Sequence, residues 1–338
     1  MTMQEAESKY GPGLYQVPEE YRIYNKKADK NLFSAEVNHE QASPLYELFN
    51  VNARPHAIRI EVRLMPPNEN VVVYNVEYKI NSNKRREVEN QQAKLKANRF
   101  VLSLGDSFTF GEGVTSGEDY PSQLAKKLSP DYLVYNFGKP GYGPNDLLFR
   151  LQTNLETFRD INQNEGIAIW YFIAAQLERT ACGFRCLLSR RNHYIWDKPR
   201  YGLVDNKPVF LGKFDQTIPF WQQLLPIIAE SEALKFGINH LTVNYSENEY
   251  KNFVAMLREI KTILEQSKNL KKFYFLNTEN FDLDPQLYSL LQQAGIEVLD
   301  FSHVPKLKFE ESRILYDWHP NAAYYWLVAE MLKKTIEP

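Results

Sequence analysis

The feature that most constrains this chain is a short apolar run that ends in a glycine and a serine. Residues 100–104, Phe-Val-Leu-Ser-Leu, predict a buried strand. The strand stops at Gly105, and Ser107 follows two residues later in a turn. Open α/β sheets bind their ligands beyond the carboxyl ends of the strands. The pattern therefore places the Ser107 hydroxyl where a sheet of this class carries its chemistry.

A second segment, Asp317-Trp-His-Pro-Asn321, offers the partners that such a hydroxyl needs. Serine is a weak nucleophile unless an adjacent base takes its proton. Imidazole, with an ordinary pKa of about 6.5, suits that role, and a carboxylate can fix its tautomer. Ser107, His319 and Asp317 are therefore the candidate nucleophile, base and orienting acid. On the residue types alone, a turn or N-cap serine and a surface histidine remain an equal alternative.

Three blocks in order carry a family resemblance: Gly105-Asp-Ser107, then Asn136-Phe-Gly-Lys-Pro-Gly-Tyr-Gly143, then Asp317-x-His319. Together they resemble the SGNH (GDSL-type) hydrolase family over residues 99–334. The rival pattern Gly-x-Ser-x-Gly fails because Thr109 stands where its second glycine belongs. The resemblance implies a three-layer, flavodoxin-like α/β domain with a parallel sheet, and it implies a Ser-His-Asp triad in the roles given above.

The resemblance also implies an oxyanion hole formed by the backbone N–H groups of Ser107 and Gly138. A plain strand-to-helix loop is the alternative for Gly138. The family's third donor, an asparagine after the third strand, has no counterpart in Ile173–Arg179. Gln176 carries the same amide on a longer stem, so either it substitutes or it is a solvated loop residue. Asn145 is predicted to be a helix N-cap.

Other polar and aromatic residues near these blocks have two interpretations each. Arg179 either binds an anionic substrate group or pairs with Glu178 or Asp146, and we favour pairing. Three aromatic side chains either line a sugar- or acyl-binding cleft or belong to the core: Tyr120, Tyr142 and Trp318.

The N-terminal part, residues 1–95, is predicted to hold an irregular lead-in (1–50), a small β domain and a linker. Apolar residues alternate with polar ones in 58–64 and again in 74–80, which indicates two half-buried antiparallel strands. The polar run 81–98 is predicted to be a linker or a charged segment leading into the main domain.

Residues 96–338 are predicted to form the α/β domain, because strand and helix patterns alternate along them. The predicted helices are 120–128, 146–159, 247–266, 285–294 and 322–334, and the predicted strands after 100–104 are 132–136, 167–173, 272–276 and 296–300. Residues 201–212 are typical of an inserted hairpin.

The composition excludes several classes of function. Lys and Arg number 40 against 42 Asp and Glu, so no overall charge favours nucleic acid or an anionic membrane. No run of about 18 apolar residues is present that would span a bilayer. The start, Met1–Glu7, is acidic and polar, so we do not expect it to act as a signal peptide. We expect an extracytoplasmic location if a leader was removed, and a cytoplasmic one otherwise.

The chain has two cysteines, Cys182 and Cys186. Their spacing permits a local disulfide, but two idle thiols are the favoured interpretation. Two thiols without a histidine pair make a poor zinc site. We expect no metal and no organic cofactor.

Taken together, the sequence predicts a serine esterase of the SGNH type that acts through an acyl-enzyme. Its expected substrate is an ester-bearing small molecule or glycan, such as a carbohydrate O-acetyl group. Two alternatives stay open: an O-acyltransferase with the same triad, and a catalytically weak module that binds a glycan or a protein.

Overall fold

The computed structural model describes residues 56–65, 69–89, 97–153, 158–182, 197–217, 245–278, 283–302, 312–314 and 317–338. The predicted lead-in, residues 1–50, lies outside these ranges. The described residues belong to two compact units. The first falls within residues 1–140 and 303–338, and the second within 141–302.

The first unit begins with an antiparallel hairpin. Strand β1 (His56–Met65) pairs with β2 (Glu69–Lys79), with His56 opposite Lys79 and Met65 opposite Glu69. A register shift follows Glu61. The two strands predicted from alternating hydrophobicity are therefore confirmed.

The described side chains of the hairpin pack against residues outside it. The buried side chains of β2 and the residue after it, Tyr74, Val76, Tyr78 and Ile80, form one hydrophobic cluster with Phe110 and Ile314. Those last two residues lie close in sequence to Ser107 and Asp317. A boundary near residue 95 thus divides residues that share one core, because the buried face of β2 packs against the serine-bearing segment.

Residues 81–89, the described start of the predicted linker, are also packed. Arg86 is 1% exposed, and its guanidinium donates to the carbonyl oxygens of Phe110 (3.0 Å) and Val114 (2.8 Å). Its Nε lies 3.3 Å from Asp119 Oδ2, and both side chains are fully buried. The linker prediction is wrong for these residues, because Arg86 is packed inside the protein. A buried guanidinium needs the acceptors and the countercharge that it has here.

Two parallel strands form the sheet portion of the first unit. Strand β3 (Arg99–Leu104) pairs with β4 (Tyr132–Asn136), with Phe100 opposite Leu133. Between them lie a one-turn helix, α1 (Ser107–Phe110), and α2 (Tyr120–Lys127), which Asp119 caps by accepting from Ser122 N. The C-terminal helix of the chain also belongs to this unit.

The second unit contains three parallel strands and their helices. Strand β5 (Glu165–Phe172) pairs with β8 (Leu270–Asn277), and β8 pairs with β9 (Glu297–Asp300). The connecting helices are α3 (Pro144–Thr153), α4 (Ala175–Ala181), α6 (Glu247–Lys268) and α7 (Pro285–Gln293). Helix α6 starts with a capping box in which Ser246 and Glu249 bond reciprocally.

The predicted hairpin is present in the second unit. Strand β6 (Pro199–Val204) pairs antiparallel with β7 (Lys207–Lys213), which leads into the short helix α5 (Phe214–Thr217). Asp205 and Asn206 form the two-residue turn, and both have positive φ angles (50° and 58°). Asp and Asn are the side-chain types that best tolerate such a turn.

The fold class predicted from the sequence is confirmed. The α/β region has a mostly parallel central sheet with flanking helices. One local prediction is wrong: Asn145 is the second residue of α3 rather than its N-cap. Its amide nitrogen donates instead to Pro199 O (2.9 Å).

Candidate active site

The end of β3 positions Ser107. Gly105 has a φ of 143°, which an L side chain rarely adopts, and the chain turns sharply there. Asp106 caps α1 by accepting from Phe108 N (3.1 Å). Ser107 is then the first residue of α1 and is 5% exposed.

The turn around Ser107 is closed on both sides. Thr109 Oγ1 donates to Leu104 O (3.0 Å), which ties α1 back to the strand. Gly111, with a φ of 84°, ends the helix, and its N–H donates to Ser107 O (2.9 Å). A left-handed glycine is a common helix C-terminus. The nucleophile candidate is therefore held by its own segment.

The Asp317–His319 loop leads into the last helix, α8 (Ala322–Ile336), whose N-cap is Asn321. Asn321 Oδ1 accepts from Tyr324 N (3.0 Å). Backbone bonds fix the rest of the loop, because Asp317 N donates to Ile314 O (2.9 Å) and Ile314 N donates to His319 O (3.0 Å). The imidazole thus extends from a loop whose backbone is restrained.

The structure brings the three predicted residues together. Ser107 Oγ lies 2.9 Å from His319 Nε2, although the two residues are 212 positions apart. Asp317 Oδ1 lies 2.5 Å from His319 Nδ1 and also accepts from the His319 backbone N–H (2.8 Å). The ring is therefore oriented by the carboxylate, with its other nitrogen directed at the serine hydroxyl.

The surroundings of His319 shift its basicity upward. Burial disfavours the charged ring and lowers the pKa of His319, but the carboxylates of Glu112, Asp317 and Asp106 together outweigh it. The net pKa lies above the ordinary 6.5. A stronger base takes a hydroxyl proton more readily, and a larger fraction of it is protonated in mildly acidic solution.

The two backbone N–H groups of the predicted oxyanion hole differ in their hydrogen bonding. Ser107 N–H belongs to the first turn of α1, so it has no intrahelical acceptor. Gly138 N–H donates to Asn136 Oδ1 at 2.9 Å. In this structure, therefore, the Gly138 N–H is not directed at a substrate, contrary to its expected role.

Glycine at position 138 has a steric reason. A Cβ added there would lie 2.2 Å from Phe110 N and 2.6 Å from the carbonyl carbon of Thr109. Asn136 Nδ2 also donates to Thr109 O (3.0 Å). The loop after β4 therefore packs directly on the backbone of α1 and supports it.

Gln176 has a structural environment within the second unit. Its Nε2 donates to Tyr171 O (2.9 Å), and its Oε1 accepts from Trp170 Nε1 (2.9 Å). The residue is fully buried. These bonds join the end of β5 to α4, so Gln176 is left out of the oxyanion hole proposed below.

Arg179 and Asp146 each have a partner within the second unit. Arg179 Nη1 donates to Tyr142 O (3.1 Å), and Asp146 Oδ2 accepts from Lys198 Nζ (2.6 Å). The aromatic candidates also divide. Tyr120 is fully buried, whereas Trp318, between Asp317 and His319, is 76% exposed.

Sequence analysis did not single out Glu112. Its Oε2 lies 3.5 Å from His319 Nε2, on the same edge of the ring as Ser107. The only sequence signal was its place between two glycines, five residues after the serine. A surface turn would have given the same pattern.

Cys182 is disulfide-bonded, so the favoured prediction of two idle thiols is wrong for this residue. Cys186 lies outside the described residues. Within the ranges described, no group of three or more His, Cys, Asp or Glu residues is arranged to hold a metal ion. No helix in these ranges is both long and apolar enough to cross a membrane.

No protein-family model and no curated protein matches the sequence. Among solved structures, a carbohydrate acetylesterase family member from Sinorhizobium meliloti is 13% identical, with a TM-score of 0.34 over 70% of this chain and 97% of that one. A carbohydrate esterase described as having divergent catalytic and non-catalytic binding functions is 14% identical (TM-score 0.39; 84% and 87% covered). A lipolytic protein of the G-D-S-L family from Veillonella parvula is 11% identical (0.34; 71% and 100%).

At TM-scores below 0.5, these similarities carry no weight for function. What the chain itself shows is a mostly parallel α/β architecture. Its serine turn follows β3, and its Asp-x-His loop precedes the last helix.

Proposed function

We propose that this protein is a serine esterase that hydrolyses a carboxylic ester through an acyl-enzyme. The observation that carries the proposal is the hydrogen-bonded series from Ser107 Oγ through His319 to Asp317, at 2.9 Å and 2.5 Å. That geometry supports His319 as the base for Ser107 and Asp317 as the carboxylate that orients the base.

The proposed reaction follows from these contacts. His319 Nε2 takes the proton of Ser107 as Oγ bonds to the acyl carbon, and the carbonyl electron pair moves to oxygen. The Ser107 N–H donates to that oxyanion. His319 then gives its proton to the leaving alcohol as the C–O bond breaks. Water attacks the acyl-enzyme by the same steps in reverse order.

For the substrate, we propose an acylated carbohydrate, such as an O-acetyl sugar. Trp318 supports this choice, because its side chain is 76% exposed although it lies between Asp317 and His319. A large exposed aromatic surface, on the residue that directly precedes the candidate base, suits the apolar face of a sugar ring. A neutral ester of a simple alcohol would not use that surface.

A specific observation favours a second candidate, a module that binds a glycan with little hydrolysis. The Gly138 N–H donates to Asn136 and the Gln176 amide to Tyr171, so two expected oxyanion donors are engaged elsewhere. Losing one such donor costs roughly 10²–10³ in rate. A weak esterase and a binding module therefore differ in rate rather than in architecture.

The test combines covalent labelling with hydrolysis. A fluorophosphonate probe should label the wild-type protein and not Ser107→Ala, and p-nitrophenyl acetate should be hydrolysed only by the former. Ser267→Ala, an exposed serine on α6, is the matched control and should behave as wild type. Absence of labelling, or equal labelling of Ser107→Ala, would refute the esterase. Acyl release that requires an added sugar alcohol would assign acyl transfer instead.

We also propose an extracytoplasmic location. The disulfide at Cys182 supports it, because disulfides persist mainly in oxidising compartments. Alkylation of the native, unreduced protein isolated from its source should leave Cys182 unmodified. Complete alkylation without reductant would contradict the proposal.

A further inference from the structure

Glu112 places a second carboxylate beside His319. Its Oε2 lies 3.5 Å from His319 Nε2, the nitrogen that also faces Ser107 Oγ at 2.9 Å. Asp317 occupies the opposite edge of the ring at Nδ1. The Glu112 side chain is only 10% exposed, so solvent screens its charge weakly. The imidazole therefore lies between two carboxylates.

The hairpin and the residues around Glu112 hold it in this position. Tyr74 OH, on β2, donates to Glu112 Oε1 (3.3 Å). Glu112 N donates to Ser107 O (3.0 Å), and Gly113 N donates to Tyr78 OH (2.9 Å). Both the backbone and the carboxylate of Glu112 are thus tied to the nucleophile's helix or to β2.

Steric restraints strengthen this arrangement. Gly111 and Gly113 flank Glu112 with φ angles of 84° and 82°. A Cβ at Gly113 would lie 2.2 Å from Ile314 Cδ1. Arg86 donates to the carbonyl oxygens of Gly111 and Val114 on either side. These contacts restrain the backbone on both sides of Glu112, and they therefore restrain the position of its carboxylate.

We propose that Glu112 is a positioning residue whose carboxylate stabilises the Nε2–H of the His319 imidazolium during acyl transfer. This inference rests on the proposed function. When Ser107 attacks, its O–H bond breaks, an Nε2–H bond forms and a positive charge appears on the ring. Glu112 lies on the edge of the ring where that proton arrives. It stabilises the charged intermediate until Nε2 gives the proton to the leaving alcohol.

Several charged groups around His319, including Glu112, influence its pKa. Burial lowers the pKa of His319, and the carboxylates of Glu112, Asp317 and Asp106 raise it. A cation on this side of the ring is Arg313, whose guanidinium lies over the Phe108 ring (5.3 Å), and that ring lies 5.4 Å from the imidazole. Removing the Glu112 charge should therefore lower the pKa of His319.

The test is Glu112→Gln, which keeps the size and an acceptor for Tyr74 but removes the charge. We expect the plateau of kcat/KM for p-nitrophenyl acetate to fall roughly three- to tenfold, and its acid limb to move about one pH unit lower. Glu112→Asp keeps the charge and should lie between Gln and wild type. The control is Glu330→Gln, which removes a carboxylate on α8 that pairs with Lys127 of α2. It should shift neither quantity.

A second measurement does not depend on turnover. The pKa of His319, followed by NMR in Ser107→Ala and assigned with His319→Asn, should fall by about one unit when Glu112→Gln is added. An unchanged titration would overturn the role of Glu112, and so would an unchanged acid limb in an active variant. A wild-type protein without hydrolysis or probe labelling would instead refute the proposed function, so the two failures are distinguishable.

Discussion

The loops that follow the paired strands β3 and β4 are similar in sequence but differ in their hydrogen bonding. Each begins at the carboxyl end of a parallel strand and contains a glycine within the next two residues. The loop after β3 exposes a hydroxyl to His319 Nε2. After β4, the polar groups bond to other protein atoms. Asn136, the last residue of that strand, accepts from Gly138 N and donates to Thr109 O.

The difference shows that position at a sheet edge is not enough to make a group reactive. A donor or nucleophile acts on a substrate only if the fold does not already use it. Ser107 satisfies this condition through its place at the start of α1, where the N–H lacks an intrahelical partner. Gly138 does not satisfy it, and its contribution is to let the second loop support the first.

The strongest test of the β3 loop is Asp317→Asn. The asparagine amide would direct an N–H at Nδ1 and favour the wrong imidazole tautomer, so kcat should fall about 10⁴-fold. Steady-state hydrolysis of p-nitrophenyl acetate measures it. Asp284→Asn, which alters the N-cap of α7, is the control. A fall of less than tenfold would mean that Asp317 does not orient the base.

The strongest test of the β4 loop is Gly138→Ala. The added Cβ would meet backbone atoms of Thr109 and Phe110 at less than 3 Å, so the free energy of unfolding should fall by about 3 kcal/mol. Urea unfolding measures it. Gly202→Ala is a matched control, because its Cβ would meet only the end of the exposed Leu211 side chain. A stable but inactive Gly138→Ala would indicate that the Gly138 N–H acts as a donor in the oxyanion hole.

A smaller effect is expected for Asn136→Ala. It removes the acceptor of Gly138 N–H and the donor to Thr109 O in a buried site, which should cost about 1–3 kcal/mol. The exposed Asn162→Ala serves as the comparison and should cost little. Equal stabilities of the two variants would show that the β4 loop does not support α1.

The smallest effect concerns pH. Activity requires neutral His319, whose pKa is raised above 6.5, so kcat/KM should fall as the pH drops through that raised value. The half-maximal point of the acid limb should therefore lie above pH 6.5. A profile that stays flat down to pH 6 would contradict the upward shift.

The sequence predicted what depends on order along the chain and missed what depends on packing. The strand before Ser107, the Asp-x-His loop and the alternation of β2 carry local patterns that survive folding. The roles of Gly138 and Gln176 did not follow from such patterns, because their partners, Asn136 and Tyr171, could be assigned only from coordinates.

The positions of two charged residues could not be predicted for a related reason. Arg86 belongs to a polar run, and such residues are mostly exposed. Glu112 lies between two glycines, a pattern that a surface turn would also give. Their burial follows from long-range contacts, with Asp119 for Arg86 and with His319 for Glu112. No spacing rule along the chain encodes either one.

The burial of Arg86 has a consequence for any attempt to shorten this protein. Its guanidinium satisfies the carbonyl oxygens of Phe110, Gly111 and Val114 and neutralises Asp119. A truncated chain that starts at Arg99 would leave an unpaired carboxylate and several bare acceptors next to the nucleophile's helix. The segment that carries Arg86 is therefore needed to hold the backbone that follows Ser107, and it cannot be removed without loss of stability.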